Sequence, residues 1–259
     1  FDTGVNRVLI AYRLSGSGGV AVAGEVSGTS ITFGGTVLIT SEPLYIMGIA
    51  FDANAGKTII PYNTPSNTAA YRLASISGTT TTLDSEVAFN APAQPKYPFV
   101  AYNSTEKVDV ITFYNNLDNY GYSTVVQVAD VSNLTAQAFV GVADSAISAS
   151  AAGSIIVQGG TVTGVSSGTG VSAGTAVQYS ASNLADIYAA DSVYDSTNNK
   201  IIVVYDGAGS GAGYGIVATI SGTSVSYGSA VQYSSGNAQH SQVTYDSTNQ
   251  RVVVAYADT

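Results

Sequence analysis

Short runs of alternating apolar and polar residues, separated by Gly, Asn, Asp and Ser, occupy most of the chain. HSQVTYD (240–246) alternates, RVVVAYA (251–257) is almost continuously apolar, and YGIVATIS (214–221) and SVSYGSAVQYS (224–234) are rich in β-branched and aromatic residues. Alternation predicts strands with one buried face, whereas a continuous apolar run predicts a strand buried on both faces. No segment has a sustained 3.6-residue apolar period, so the pattern predicts an all-β protein with almost no helix.

These strands recur in a repeat of about fifty residues that is most visible in one hairpin. YDSTNNKIIVVYDG (194–207) returns fifty-one positions later as YDSTNQRVVVAYAD, and related hairpins occur three times earlier in the chain. Each hairpin has an acidic or amide corner residue and then a basic residue. The corners are Asp2, Asp52, Asn103, Asp195 and Asp246, and the basic residues are Arg7, Lys57, Lys107, Lys200 and Arg251. Because these are five of only eight Lys and Arg residues, the pattern indicates a true internal repeat.

A second repeated feature, a Gly-Thr turn between two alternating runs, completes a unit of four strands. It occurs in VSGTSITFG (26–34), ISGTTTTLD (76–84) and ISGTSVSYG (220–228). Four antiparallel strands in each repeated unit predict a β-propeller of about five four-stranded blades. The alternative architecture is a stacked or solenoid β-repeat array.

The repeats predict a single domain over residues 1–259, interrupted by one irregular interval. The predicted units are 1–50, 51–101, 102–143, 144–193, 194–244 and a partial unit at 245–259. About 42 additional residues separate Asn103 from Asp195, and they form either a divergent unit or an insertion into the third repeat. A matching Gly-Thr turn in this interval favours the divergent unit. Both ends of the sequence fall within a repeat, which predicts a processed product or a segment of a longer polypeptide.

Composition and charge exclude several classes of function. Hydrophobic residues make up 45% of the chain, enough for a core, and charged residues make up only 10%. The formal net charge of −9 argues against a nucleic-acid partner. No apolar run reaches the length of a membrane helix, so no membrane partner is expected. With no Cys and one His, neither a disulfide scaffold nor a histidine-centred zinc site is expected.

The chemistry-bearing residues do not form a recognisable catalytic or metal-binding pattern. Two Gly-x-Ser-x-Gly matches, at 164–168 and 170–174, lack the helix that a nucleophile elbow requires. The repeated corner carboxylates are typical of turns, because an Asp or Asn side chain accepts hydrogen bonds from the backbone that follows it. Acids outside the repeat pattern show no paired spacing; they are Glu25, Glu42, Asp84, Glu86, Asp109, Asp130, Asp186 and Asp191. We therefore expect no enzyme activity, no cofactor and no metal.

Aromatic residues outside the repeat are the better candidates for ligand contact. Tyrosine combines a flat apolar face with a hydroxyl, which suits contacts with proteins or sugars. The tyrosines that recur at the end of the second strand, Tyr12, Tyr62, Tyr205 and Tyr256, are expected to be architectural. The candidate ligand contacts are Tyr45, Tyr97, Tyr120, Tyr122, Tyr188 and the single histidine, His240.

Two segments carry a resemblance to a known group of proteins. YDSTNNKIIVVY (194–205) with GYGIVATISGTSVSYGSAVQYSS (213–235) resembles a repeat of bacteriophage tail-fibre and other virion-appendage proteins, and of large bacterial surface proteins. Residues 138–170 are similar to a small module that interrupts such repeats in the phage proteins, which supports the insertion alternative. The resemblance implies an extracellular or virion location, with copies of itself, other fibre or virion proteins, or cell-surface glycans as partners. It implies no functional residues.

Together these features predict a non-enzymatic structural or adhesion protein, a β-repeat module of a fibre, filament or tail appendage that presents binding surfaces. The alternatives are a carbohydrate-active propeller enzyme, either a glycoside hydrolase or a lyase, and a glycan-binding, lectin-like propeller.

Overall fold

Short antiparallel strands joined by turns form the described structure, which confirms the all-β prediction. The computed structural model describes residues 1–15, 18–45, 48–66, 69–89, 91, 94–128, 142–143, 155–156, 171–181, 183–184, 190–208 and 211–258. Within these ranges there is no α-helix, and hence no helix that could cross a membrane.

The strands form five main sheets, numbered here in chain order. Sheet 1 contains β1 (Val8–Arg13), β2 (Gly19–Ser27), β3 (Ser30–Phe33) and β4 (Val37–Thr40). Sheet 2 contains β5 (Ala50–Asp52), β6 (Lys57–Asn63), β7 (Ala69–Ser77), β8 (Thr80–Leu83) and β9 (Val87–Ala88). Sheet 3 begins with β10 (Pro95–Asn103), β11 (Val108–Asn115) and β12 (Gly121–Val128). A separate short hairpin, β13 (Val142–Ala143) and β14 (Ile155–Ile156), precedes the last strands of sheet 3, β15 (Val171–Ala173) and β16 (Val177–Gln178).

Sheet 4 contains β17 (Ala190–Asp195), β18 (Lys200–Asp206), β19 (Gly213–Ser221), β20 (Ser224–Tyr227) and β21 (Val231–Ser234). Sheet 5 contains β22 (Ala238–Asp246) and β23 (Arg251–Asp258).

Sheet 4 illustrates the complete unit, an antiparallel meander whose fourth strand is broken in two. The order is β17-β18-β19-β20, and β21 pairs with β19 beside β20. Gly222, with φ of 56°, makes the tight turn that folds β20 back onto β19. The predicted fourth strand is therefore two short strands along one edge. Sheets 2 and 3 have the same order.

The two end sheets hold only part of this unit. Sheet 1 contains the second, third and fourth strands of the unit. Its first strand is reduced to a single bridge between Asp2 and Arg7. Sheet 5 has only the first two strands.

The irregular interval lies within sheet 3. β15 and β16 both pair with β12, through Val126 with Ala173 and Ser123 with Val177. Residues 129–170 therefore fall between two strands of one sheet, as in the insertion alternative. Sheet 3 runs from 95 to 178, across the boundary that the repeat spacing predicted at 143 and 144.

Consecutive sheets pack against each other, and the core lies between them. We call the face of a sheet that turns toward the next sheet its forward face, and the opposite face its backward face. Between sheets 1 and 2, Leu9 and Ile39 pack with Ile60 and Tyr62 of the backward face of sheet 2. Equivalent apolar clusters join sheet 2 to sheet 3 and sheet 3 to sheet 4. Ile59 and Ile60, neighbours on one strand, are both fully buried, because β6 lies between two such clusters.

The five corners are turns, as predicted. In each, the Oδ1 atom of the corner residue accepts hydrogen bonds from the backbone N–H groups two and three residues later, over 2.8–3.2 Å. These bonds satisfy donors that the turn would otherwise leave without a partner.

One residue of the predicted repeat lies out of register. Asp2, Asp52, Asp195 and Asp246 pair with Arg7, Lys57, Lys200 and Arg251, respectively, but Asn103 pairs with Val108. Lys107 lies one position earlier, with φ of 56°, where sheet 2 has Gly56. The strand pairing, and not the order of charges along the chain, sets the register, so only four basic residues share the position.

We predict that Asn103→Ala destabilises the protein by about 1–2 kcal/mol, because the backbone N–H groups of Thr105 and Glu106 lose their part-buried hydrogen bonds to the Asn103 side chain. Asn103→Asp, which introduces the residue of the other four corners, should retain most of the stability. Urea unfolding followed by circular dichroism measures both variants. An alanine variant as stable as the wild type would contradict this role for the corner.

Candidate functional site

Two of the predicted ligand contacts, Tyr45 and Tyr97, lie together with an arginine outside the repeat. Arg13 ends β1 of sheet 1, Tyr45 precedes the first strand of sheet 2, and Tyr97 lies in β10 of sheet 3. The Arg13 guanidinium lies 5.2 Å from the centre of the Tyr45 ring. The Tyr45 and Tyr97 rings meet edge to face, with their centres 5.0 Å apart. Sheets 1 and 3 and the segment that joins sheet 1 to sheet 2 thus contribute one side chain each to a single cluster, which we call the Arg13 cluster.

Asn63 at the end of β6 holds the two tyrosines in place. Its backbone exchanges two hydrogen bonds with the backbone of Tyr45, over 2.9 and 3.2 Å. Its Oδ1 atom accepts a hydrogen bond of 2.8 Å from the N–H of Tyr97. Tyr97 has φ of 52° and lies where the pairing of β10 with β11 shifts register, so the bulge turns this residue out of the regular alternation. Asn63 is fully buried, and its Nδ2 donor has no hydrogen-bond partner among the described residues.

The cluster offers a ligand an exposed cation beside a half-buried aromatic ring. Arg13 is exposed, Tyr45 is intermediate in exposure, and Tyr97 lies beneath with only 9% of its surface accessible. A guanidinium presents five N–H donors in a fixed plane, and a tyrosine adds an apolar ring and a hydroxyl. This combination recognises polar ligands that also have an apolar face.

Tyr120, in the turn between β11 and β12, and Tyr122, at the start of β12, lie at a different place. Asp118 accepts hydrogen bonds from the Tyr120 N–H at 3.0 Å and from the Tyr122 hydroxyl at 2.8 Å. Burial, together with the Asp118 carboxylate, raises the pKa of Tyr122 to about 12. The Tyr122 ring also stacks on Phe113. These contacts tie Tyr122 to the turn and do not connect it to the Arg13 cluster.

His240, the single histidine among the predicted ligand contacts, occupies a position that recurs in another sheet. Like Tyr97, it lies six residues before its corner, has a positive φ of 55°, and lies at a register shift in the first strand of its sheet. His240 and Tyr97 therefore share a bulge position that varies in residue type. His240 is exposed and does not join the Arg13 cluster. Tyr188, the remaining predicted contact, lies outside the described residues.

Most of the acids outside the repeat are engaged by a neighbouring side chain or backbone group. Glu25 pairs with Arg7, Asp84 with Lys57, Glu42 with the Ser66 hydroxyl and Glu86 with the Tyr62 hydroxyl. The Asp191 carboxylate accepts hydrogen bonds from two backbone N–H groups, one of them from Val243 of sheet 5 at 2.9 Å. Burial nevertheless raises the pKa of Asp191. Asp130 and Asp186 lie outside the described residues.

Asp109 is the exception, because it forms a buried carboxyl pair with a corner residue. Asp109 projects from the backward face of sheet 3 and, like Asp52 of sheet 2, is fully buried. Among the described residues, neither oxygen of Asp109 nor the Oδ2 atom of Asp52 has another hydrogen-bond partner, so the two carboxyls can share one proton. Burial, and then the Asp52 charge, raise the pKa of Asp109 well above its usual range. Sequence patterns missed this pair because one member is a repeated corner and only the packing of the sheets brings them together.

Comparison with known proteins gives only distant structural similarity. No protein-family model matches the chain, and no curated protein matches it. A solved structure of an Aleuria aurantia lectin mutant in complex with Fucalpha1-6GlcNAc is similar, with a TM-score of 0.43 and 16% sequence identity. The similarity covers 87% of this chain and 57% of the lectin chain. It transfers neither a sugar site nor a number of blades to this protein.

We predict that Asp109→Asn stabilises the protein at neutral pH and that the gain disappears toward pH 4. Asp109 keeps its proton in the folded state but loses it on unfolding, so the free energy of unfolding of the wild type falls as pH rises above the unfolded pKa of about 4. Asparagine cannot ionise and can donate a hydrogen bond to Asp52. Thermal melts from pH 4 to pH 8 measure the difference, and each kcal/mol corresponds to about 2–4 °C.

The exposed Asp258→Asn is the control for the change of net charge. A pH-independent difference between wild type and Asp109→Asn, or a loss of stability at pH 7, would show that Asp109 is ionised in the folded protein.

Proposed function

We propose that the protein is a non-enzymatic β-repeat adhesion protein, extracellular or virion-borne, that binds neutral glycans at the Arg13 cluster. The observation that carries this proposal is the meeting of Arg13, Tyr45 and Tyr97, from three separate segments of the chain, with the cation exposed over the ring of Tyr45. Arg13 and Tyr45 depart from the repeat pattern, and Tyr97 differs in residue type from His240 at the shared bulge position. A binding site needed once in the molecule is expected at such positions.

The chemistry of the cluster suits a sugar. A pyranose ring presents a C–H face that packs on an aromatic ring, and hydroxyls that accept hydrogen bonds from a guanidinium. Arg13 supplies the donors, Tyr45 supplies both ring and hydroxyl, and Tyr97 and Asn63 fix the Tyr45 backbone and ring before a ligand arrives. Such preorganisation lowers the entropic cost of binding.

Charge favours neutral glycans over anionic ones. The chain has a formal net charge of −9, which repels anionic ligands at long range. The single exposed guanidinium of the cluster does not reverse this field. We therefore expect hexoses, deoxyhexoses and N-acetylhexosamines to bind better than sialylated or sulfated glycans.

The arrangement of the sheets supports a propeller-like architecture as part of this proposal. Each sheet packs on the next along the chain, which propellers and stacked repeat arrays have in common. The sequence resemblance to phage-appendage and bacterial surface repeats supports an extracellular or virion location. Fibre or virion proteins and cell-surface glycans are the corresponding partners.

The test is binding of the purified protein to an array of neutral and anionic glycans, followed by titration calorimetry with the best neutral ligand. Arg13→Ala and Tyr45→Ala are each expected to weaken binding at least about tenfold, which corresponds to about 1.4 kcal/mol. Tyr45→Phe keeps the ring and should lose less affinity.

Lys107→Asn is the matched control, because it removes an exposed positive charge and introduces the residue that Asn6 and Asn199 provide at the same turn position. Circular dichroism must show that each variant is folded. Equal affinity of Arg13→Ala, Tyr45→Ala and wild type would reject this site. Cleavage of a glycan on the array would instead support the carbohydrate-active enzyme alternative.

A further inference from the structure

Sheet 1 has an uncovered apolar backward face. Six large apolar side chains, each 38–54% exposed, project from it: Ile10, Tyr12, Val26, Ile31, Phe33 and Leu38. The strand register places them on one side, because Ile10 pairs with Val22, Gly24 with Phe33, Val26 with Ile31 and Val20 with Leu38. The described residues of this face include no charged side chain. Ile10, Tyr12, Val22 and Phe33 also line a surface depression of about 350 Å³.

The same face is an interior surface in the other sheets. Counted from the residue that pairs with the corner, Ile10 corresponds to Ile60, and Tyr12 corresponds to Tyr62. Ile60 and Tyr62 are fully buried against sheet 1, whereas Ile10 and Tyr12 are 38% and 40% exposed. Sheet 3 has Ile111 and Phe113 at these positions and sheet 4 has Val203 and Tyr205, and all four are buried. Sheet 1 thus presents, on its uncovered backward face, the kind of side chains that form a sheet-on-sheet contact in the other sheets.

The forward face of sheet 5 is the complementary uncovered surface. Val253 corresponds to Leu9 of sheet 1, which is buried against sheet 2, but Val253 is 49% exposed. Ala255, and Thr244 and Gln242 opposite these residues on β22, are also exposed. The two ends of the molecule therefore have the two halves of the contact that joins consecutive sheets inside it.

A polar contact of the internal interface can be repeated at the ends. The Arg7 side chain reaches from sheet 1 to the next sheet, where its Nε atom donates a hydrogen bond of 2.9 Å to the carbonyl of Gly78 in the β7–β8 turn. Arg251 holds the Arg7 position in sheet 5 and is exposed. The β2–β3 turn of sheet 1 has Gly28 where sheet 2 has Gly78, with φ of 58° and 61°.

We propose that a second copy of this chain covers the backward face of sheet 1 with the forward face of its own sheet 5, in a head-to-tail contact. Val253 and Ala255 of one copy pack on Ile10, Tyr12 and Phe33 of the other. The Arg251 guanidinium donates a hydrogen bond to the Gly28 carbonyl, as Arg7 does to Gly78 within the chain. The uncharged sheet 1 face lets two molecules of net charge −9 approach without placing like charges in the contact.

Such a contact is heterologous, so it forms a closed ring or a filament according to the rotation between copies. The inference does not depend on glycan binding, since the Arg13 cluster can fail as a sugar site without affecting this contact.

The test is sedimentation equilibrium of the full chain over a wide range of concentration. Wild type should associate with increasing concentration, whereas Tyr12→Asp and Arg251→Glu should each weaken association at least about tenfold. Leu117→Asp, at an exposed apolar residue of a turn in sheet 3, is the matched control and should associate like wild type. If Tyr12→Asp disturbs the fold, the milder variant Tyr12→Ser is measured in its place.

Mixing the two blocked variants tests the direction of the contact. Tyr12→Asp keeps an intact sheet 5 face and Arg251→Glu keeps an intact sheet 1 face, so the mixture should form heterodimers and stop at that size. Wild type that stays monomeric would overturn the proposal, as would closure of sheet 1 on sheet 5 within one molecule. Association that Tyr12→Asp abolishes and Arg251→Glu leaves unchanged would point to pairing between two sheet 1 faces and would also overturn it.

Discussion

The packing of one apolar sheet face on the next is the interaction on which the rest of this structure depends. A sheet of short strands with apolar residues on both faces cannot bury them alone, so it is stable only between neighbours. β6 shows this directly, because Ile59 contacts the cluster toward sheet 3 and Ile60 contacts the cluster toward sheet 1. The corner turns hold the first two strands in register, and that register decides which residue faces which neighbour.

The same constraint explains where the molecule departs from its repeat. A residue between two packed sheets must match the facing surface, and so a polar residue there needs a partner from another sheet. Asp109 meets Asp52 in this way, and Asp191 meets the backbone of Val243. The ends of the sheets are less constrained, and there the bulge at Tyr97 and the termination of β1 at Arg13 allow these two side chains to converge with Tyr45.

Local patterns were enough to predict the strands, the fifty-residue unit and the corner turns, because each depends on residues close together in the chain. Local patterns did not predict the register of Lys107, because that register is set by the pairing of Asn103 with Val108. The contact of Tyr45 with Tyr97 also required the structure, because it joins two segments that are distant in the chain. Tyr97 and His240 have the same spacing from their corners, but only the structure shows that both lie at a bulge. The interval between Asn103 and Asp195 misled the count of units because the Gly-Thr sequence in it precedes β15, which belongs to sheet 3 through its pairing with β12.

The two proposals have a physical consequence in common. A shallow site built from one exposed arginine and one half-buried tyrosine ring buries little ligand surface, so its affinity for a single sugar is limited. Head-to-tail association would place one Arg13 cluster on every copy at a fixed spacing. Several weak sites on one assembly then bind a glycan-covered surface with an avidity far above that of a single site, provided that the spacing lets them engage together. A repeat that leaves its end faces uncovered and its ligand site small is therefore consistent with a protein whose binding strength comes from assembly.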